Sequence, residues 1–406
     1  MYFSLLRLLR NCSLNLDKRS LLYSLRPDLD FDFLLDESNI EILKKNIENR
    51  KGVGNIELVH SLWRQIQEFP QRQKRSEYDY KALWDKFYQE ALLIPNMSHP
   101  NVVVGDESSA KTVKTFGGHK YEEKAFVTAE EIGKSWRTVL YPRESCGSRS
   151  YALLGPFADL EQALIRYAWS VVLSKSFRPV KVSDIVSDVV AEGCGLQQRS
   201  DVPIKYVLAD DKTLCLSGTS ELGIANMLKS QVFAQKDLPL KFTALSRCFR
   251  PEISKSAHES RLYRVHEFNK IEMFVVCEPK DSDRILQEIV DIQCLIFGSL
   301  GLHCRLLDMP SMELGASASR KFDVEAWMPG RRVYGEVSSA SNCTDYQSRR
   351  LGIKYKDESG NRKFVHTCNG TAIATSRALI ALIETLQKVV FKLIVINDKR
   401  KLGCSN

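Results

Sequence analysis

The 406-residue chain has no uninterrupted apolar run near the roughly 18 residues a helix needs to cross a bilayer. No membrane-spanning segment is therefore expected. Its 11 cysteines are scattered, Cys12, Cys146, Cys194, Cys215 and Cys248 among them, with no CxxC pair and no Cys/His spacing of a zinc site. That distribution argues against a metal-finger scaffold and for reduced thiols used in packing. A large excess of one charge sign is also missing: the formal net charge of +8 permits a polyanionic partner without demanding one. A hydrophobic fraction of 44% is ordinary for a soluble core, and the length suggests about two or three domains of ~150 residues.

Acidic residues are absent before Asp17. The opening MYFSLLRLLRNCSLNLDKRSLLYSLRP sets Leu5, Leu6 and Leu9 against Arg7 and Arg10 on a helical wheel. Residues 1–26 resemble a mitochondrial transit peptide, which implies delivery to the mitochondrial matrix; an ordinary first helix is the other reading. A helix-like segment follows from Asn39 to Asn49, then a glycine-containing break at Lys51–Gly54. Ile56, Val59, Trp63 and Ile66 recur at helical spacing, as do Tyr80, Leu83, Trp84, Phe87 and Ala91 beyond Pro70 and a basic turn. Two such helices predict an antiparallel hairpin. Arg64, Arg72, Lys74 and Arg75 lie toward its tip, either as a solvated face or as a grip on nucleic-acid phosphates.

The densest chemistry lies between Thr243 and Val276, TALSRCFRPEISKSAHESRLYRVHEFNKIEMFVV, which reads as strand, loop, strand. Arg250 and Glu252 stand two apart, so a continued strand would put them on one face. Glu272 is embedded among apolar neighbours and needs a partner; Arg250 on the adjacent strand is the expected one. Such a group can be a structural salt bridge, or it can clamp a polyphosphate and receive an ammonium. Upstream, Pro179–Val186 alternates like a strand, and Thr219-Ser220-Glu221 opens a helix-like run, as a cap or as a reader of hydroxyl and ammonium groups. Downstream, a helix is expected over Asp283–Gly298. Phe322, Val324 and Ala326, then Val333 and Gly335, alternate as two strands turning at Pro329-Gly330. The second of these strands carries Glu336 and Ser339. His366–Gln387 reads as a strand, a glycine turn and an apolar helix with Arg377 at its start. A cation there is slightly disfavoured by the helix dipole, which hints at a task.

Arg250-Pro251-Glu252, a polar loop and LYRVHEFNKIEMF together resemble motif 2 of the class II aminoacyl-tRNA synthetases, in the form used by seryl-tRNA synthetases and nearest the metazoan mitochondrial type. LLIPNMSHPNVVVGDES (Leu92–Ser108) resembles that family's junction between arm and catalytic domain. Thr219-Ser220-Glu221 stands where the family has Thr-Ala-Glu, and His366–Gln387 has the layout of motif 3. Motif 1 falls at Pro179–Val186, with Ser183 where the family has proline.

The resemblance covers most of residues 92–387 and implies an α+β fold, a mainly antiparallel sheet flanked by helices and preceded by a short helical hairpin. It divides the chain into a tRNA-binding arm over 27–110, a catalytic domain over 111–390 and an atypical tail over 391–406. The implied activity is a serine–tRNA ligase that uses ATP and Mg2+, charges mitochondrial tRNA(Ser), and pairs with itself or with a mitochondrial seryl-tRNA synthetase. On that reading Arg250 and Arg377 are catalytic. Thr219, Glu221, Arg250, Glu272, Asn369 and Thr371 bind serine. Arg250, Glu252, Val265, Phe268, Glu336, Ser339 and Arg377 bind ATP, with Glu336 meeting magnesium through it, and Arg64, Arg72, Lys74 and Arg75 bind tRNA. The competing expectation is a seryl-tRNA-synthetase-like mitochondrial protein that binds tRNA and a partner without charging; the short arm, Ser183, the tail and a glycine-free loop at Ile253–Arg261 favour it.

Overall fold

The computed structural model describes residues 27–69, 76–122, 125–147, 149–197, 203–252 and 261–387. Its centre is an eight-stranded sheet. In chain order the strands are β1 (Lys111–Gly117), β2 (Arg178–Pro179), β3 (Leu240–Phe249), β4 (Glu267–Cys277), β5 (His303–Asp308), β6 (Arg320–Met328), β7 (Val333–Asn342) and β8 (His366–Ala374). Across the sheet the order is β1-β5-β6-β7-β8-β4-β3-β2. All neighbours are antiparallel except β2 and β3.

Alternation along β4 sends Ile271, Met273 and Val275 to one face and Glu272 and Phe274 to the other. The first face is covered by α4 (Pro156–Ser174), α6 (Ser282–Ser299) and α7 (375–387), which bring Leu164, Ile289, Ile292 and Leu379 against it. The second face packs Phe242, Ala244 and Phe274 against Leu222 and Ala225 of α5 (Ser220–Leu228). Both faces are therefore buried, and β4 reads as an almost unbroken apolar run in which each charged residue stands out.

The helical hairpin forms as expected. Its core joins Leu43 and Ile47 of α1 (Ile40–Asn49), Val59 and Leu62 of α2 (Ile56–Glu68), and Phe87 of α3 (Ser76–Leu93). Trp63 meets Trp84 edge-on at 5.9 Å. Arg64 is exposed on α2, whereas Arg72, Lys74 and Arg75 lie outside the described residues, as do residues 1–26 and the tail. No helix among the described residues is long and apolar enough to cross a membrane.

Two local expectations need correction. Pro179–Val186 is not one strand: pairing holds at Arg178–Pro179 and resumes at Ile185–Ser187, because the Ser183 hydroxyl accepts a hydrogen bond from the Ile185 amide and turns the chain between them. No glycine turn separates β8 from α7; Gly370 lies inside β8, and the strand runs straight into the helix.

Candidate active site

On the β4 face that carries Glu272, a cavity of about 380 Å³ opens between the sheet, α5 and the start of α7. The strand supplies its floor through Phe268, Lys270 and Glu272, alternate residues pointing one way. Lys270 and Glu272 are both buried, 2.5 Å apart. The partner of Glu272 is therefore Lys270, not Arg250 as expected from the sequence. Strand β3 ends at Phe249, Pro251 follows, and Glu252 takes a left-handed φ of 42°, so the alternation that would have shared a face between Arg250 and Glu252 does not continue. Glu252 instead meets Arg264 at 3.4 Å. The strongest sequence clue to Lys270 was its setting: a lysine among apolar residues, two from a glutamate, has to be paired.

Lys270 also donates to the Thr219 hydroxyl at 2.6 Å, and the Thr371 hydroxyl donates to Glu272 at 3.2 Å. Thr219 caps α5 by accepting from the Glu221 amide. The Glu221 carboxylate then accepts from Asn369 at 2.9 Å and from Gln347, a residue the sequence reading missed, at 2.6 Å. Burial, reinforced by Glu272, pushes the Glu221 carboxyl up to about 7. With Glu221 ionised, this corner holds two carboxylates against one ammonium, and so has an affinity for one further small cation.

Two guanidinium groups flank the other end. Arg250 is exposed, 5.2 Å from the centre of the Phe268 ring, and reaches the Gly218 carbonyl at 3.4 Å. Val265 packs with Phe268 and Cys248 beneath it. Arg377, on the first turn of α7, lies 4.7 Å over the Tyr263 ring and donates to the backbone carbonyl of Glu336 at 3.0 Å and to its carboxylate at 3.4 Å. Arg250 and Arg377 line the same cavity.

A β-bulge aims the residues between them. Glu336 pairs with Glu325 and Ser338 with Val324, leaving Val337 as an extra residue in β7. The bulge inverts the alternation, so Glu336 and Ser339, three apart, share the cavity face. A second bulge at Ala372 lies between the Thr371–Glu272 and Ile373–Ile271 pairs. Burial raises the Glu336 carboxyl, but Lys321, Arg377 and Arg250 outweigh it and hold the group below the usual carboxylate range. Its side chain is 42% accessible, so the carboxylate opens onto the cavity. Lys321, also missed from sequence, pairs with Asp323 at 2.6 Å and faces Glu336. Glu336 and Ser339 are hard oxygen donors beside a cationic rim, a set that fits magnesium carried by a polyphosphate.

The pattern of tRNA synthetase class II core domains (G, H, P, S and T) matches residues 206–386. The serine–tRNA ligase of Treponema denticola is 36% identical over 406 residues, covering 89% of this chain and 95% of the relative. The chain belongs to the seryl-tRNA synthetase family. Mouse mitochondrial serine–tRNA ligase is 43% identical over 316 residues, 75% of this chain, and the chain spans about 60% of that relative's length. Among solved structures, seryl-tRNA synthetase from Pyrococcus horikoshii complexed with ATP superposes with a TM-score of 0.78 at 27% identity, covering 88% of this chain and 94% of the other. Family membership and the α+β fold thus agree with the reading of the motifs.

Proposed function

We propose that the protein is a serine–tRNA ligase: it activates serine with ATP and transfers the seryl group to mitochondrial tRNA(Ser). The observation that carries this reading is the convergence of Arg250, Arg377, Glu221, Glu272 and Glu336, distant in sequence, on one cavity. The names of the relatives support ligation rather than the non-charging alternative, and the mouse relative's name together with the leucine- and arginine-rich opening supports a mitochondrial setting.

In the first step the serine carboxylate attacks the α-phosphate of ATP, forming a carboxyl–phosphate bond as the bond to pyrophosphate breaks. The protein has little covalent work to do; alignment and charge neutralisation lower the barrier. The serine ammonium would sit between Glu221 and Glu272, with its hydroxyl near Thr371 and Thr219 and with Asn369 holding Glu221 in place. Arg250 would face the α-phosphate and Arg377 the far end of the polyphosphate. Phe268, Val265 and Glu252 would hold the adenine, the ring by stacking once the guanidinium above it moves aside to the phosphate. Glu336 and Ser339 would hold magnesium, which when bound neutralises and orients phosphate oxygens. In the second step the terminal ribose hydroxyl of tRNA attacks the seryl carbonyl and AMP leaves. Arg64, together with the basic residues Arg72, Lys74 and Arg75 that follow it in sequence, would meet tRNA phosphates. The dimer expected of the family completes the reading, and light scattering at twice the mass of one chain would support it.

The test is charging of tRNA(Ser) with labelled serine by the purified chain. Seryl-tRNA that forms only with ATP present supports the proposal. Binding of tRNA without charging would favour the non-catalytic alternative.

A further inference from the structure

Strands β7 and β8 lie side by side at the centre of the sheet, yet their ladder is short: it runs from Asn342–Cys368 to Ala340–Gly370 and stops. The ladder is not continued by the next opposed residues, Ser339 and Thr371, and the strands part there. Beyond this fork lie both bulges, at Val337 and Ala372. The Ser339 and Thr371 carbonyls meet at this fork, where a buried carbonyl short of donors is costly.

Helix α6 fills the gap from behind. Gln293 is wholly buried beneath the sheet, an unusual position for an amide side chain. Its Nε2 donates to the Ser339 carbonyl at 2.8 Å and to the Thr371 carbonyl at 3.0 Å, spanning the fork. Gly370 permits the approach: a Cβ there would stand 2.4 Å from Ile289 and 3.0 Å from the Gln293 amide nitrogen. The Ser338 hydroxyl supplies Thr371 with a second donor.

We infer that Gln293 is a positioning residue that fixes the width of the fork, and through it the distance between the serine-reading and the ATP-holding sides of the cavity. The inference rests on the proposed function, in which Thr371 faces serine and Ser339 faces the nucleotide. Gln293 touches neither substrate; it acts through the two backbone carbonyls. Its loss leaves each half-site intact and misaligns one against the other. The signature is a fall in kcat with little change in either KM, because misplacement by about 1 Å costs on the order of 100-fold in rate while binding contacts survive.

The experiment compares wild type with Gln293→Met, which keeps the volume and removes the donor, and with Gln287→Met on the exposed face of the same helix. The expected result for Gln293→Met is a 10- to 100-fold fall in kcat of serine-dependent ATP–pyrophosphate exchange, KM values for serine and ATP within about 3-fold of wild type, and amide hydrogen exchange faster by about 10-fold or more at 337–340 and 370–373 alone. Gln287→Met should change none of these. An unchanged kcat, or unchanged amide protection at the fork, overturns the inference. If wild type proves silent in the exchange reaction, the ligase reading falls, and the amide measurement still decides the role of Gln293. Should Gln293→Met fail to fold, Ser338→Ala removes the other donor to Thr371; a fall of a few-fold in kcat is expected, and none would overturn the inference.

Discussion

Arg250 and Glu221 are the residues whose chemistry is most exposed to test. Arg250 lies past the end of its strand, exposed, with one weak contact to a carbonyl, so the fold asks little of it. Arg250→Ala is expected to lower ATP–pyrophosphate exchange by about 100-fold or more, the scale of losing a charged donor to the developing phosphate charge, while thermal unfolding shifts by no more than about 1 °C. Glu221 sets a pH dependence. Its folded pKa of about 7 lies above the ordinary 4.5, so the carboxyl is largely neutral at pH 6 and largely ionised at pH 8. The ionised form is the one that attracts an ammonium. Serine should therefore bind more tightly as pH rises from 6 to 8, with proton release on binding near neutrality, detectable by calorimetry in buffers of different ionisation enthalpy. In the free protein the same shift runs the other way: ionising a buried Glu221 costs stability as pH rises from about 4.5 through 7. Stabilisation by serine should thus be larger at pH 8 than at pH 6.

Among the elements, the sheet is where sequence and structure diverged most usefully. The β6–β7 hairpin was legible because alternation and Pro329-Gly330 mark strands and turn together, and Gly330 is also required by space, its Cβ position lying 2.2 Å from the Val127 carbonyl. The bulges were not legible. Neither Val337 nor Ala372 is a turn residue; the extra residue in each strand is fixed by the partner strand's register, which one segment of sequence does not contain. Lys270 was visible and passed over, because Arg250 was read as lying on a continuing strand although Pro251 signals its end. The helix-to-sheet contact at the fork gives a prediction at this scale. Gly370→Ala would force α6 away from β8, and about 1–3 kcal/mol of stability should be lost in urea unfolding. A variant as stable as wild type would mean that the helix is not held tightly there.

Across the whole molecule, the helical hairpin and the cavity are tied through a segment that sequence suggested was merely a junction. Asn96 takes the Ala316 carbonyl with its backbone amide at 2.9 Å, and the Ser317 and Cys343 carbonyls with its side chain at 2.8 and 2.9 Å. Arg50, buried at the end of α1, donates to the carbonyls of Asn96 and Gly315. Three successive carbonyls, at Gly315, Ala316 and Ser317, are thereby held from the hairpin side, and these same residues line the cavity wall. Arg50→Met removes the charged donor from the Asn96 and Gly315 carbonyls, which keep weaker bonds from Asn46 and the Ala318 amide; it should cost about 1–3 kcal/mol in urea unfolding and raise the serine KM several-fold in a reaction that contains no tRNA. An unchanged KM would confine the hairpin to its own fold.

The central claim is that one cleft seats a nucleotide beside a small hydroxy amino acid. Amino-acid-dependent ATP–pyrophosphate exchange on the purified wild-type chain measures this most directly. The account predicts exchange that requires serine and is weak with alanine, which lacks the hydroxyl read by Thr371 and Thr219. Exchange that is absent with serine, or equal with alanine, would contradict it.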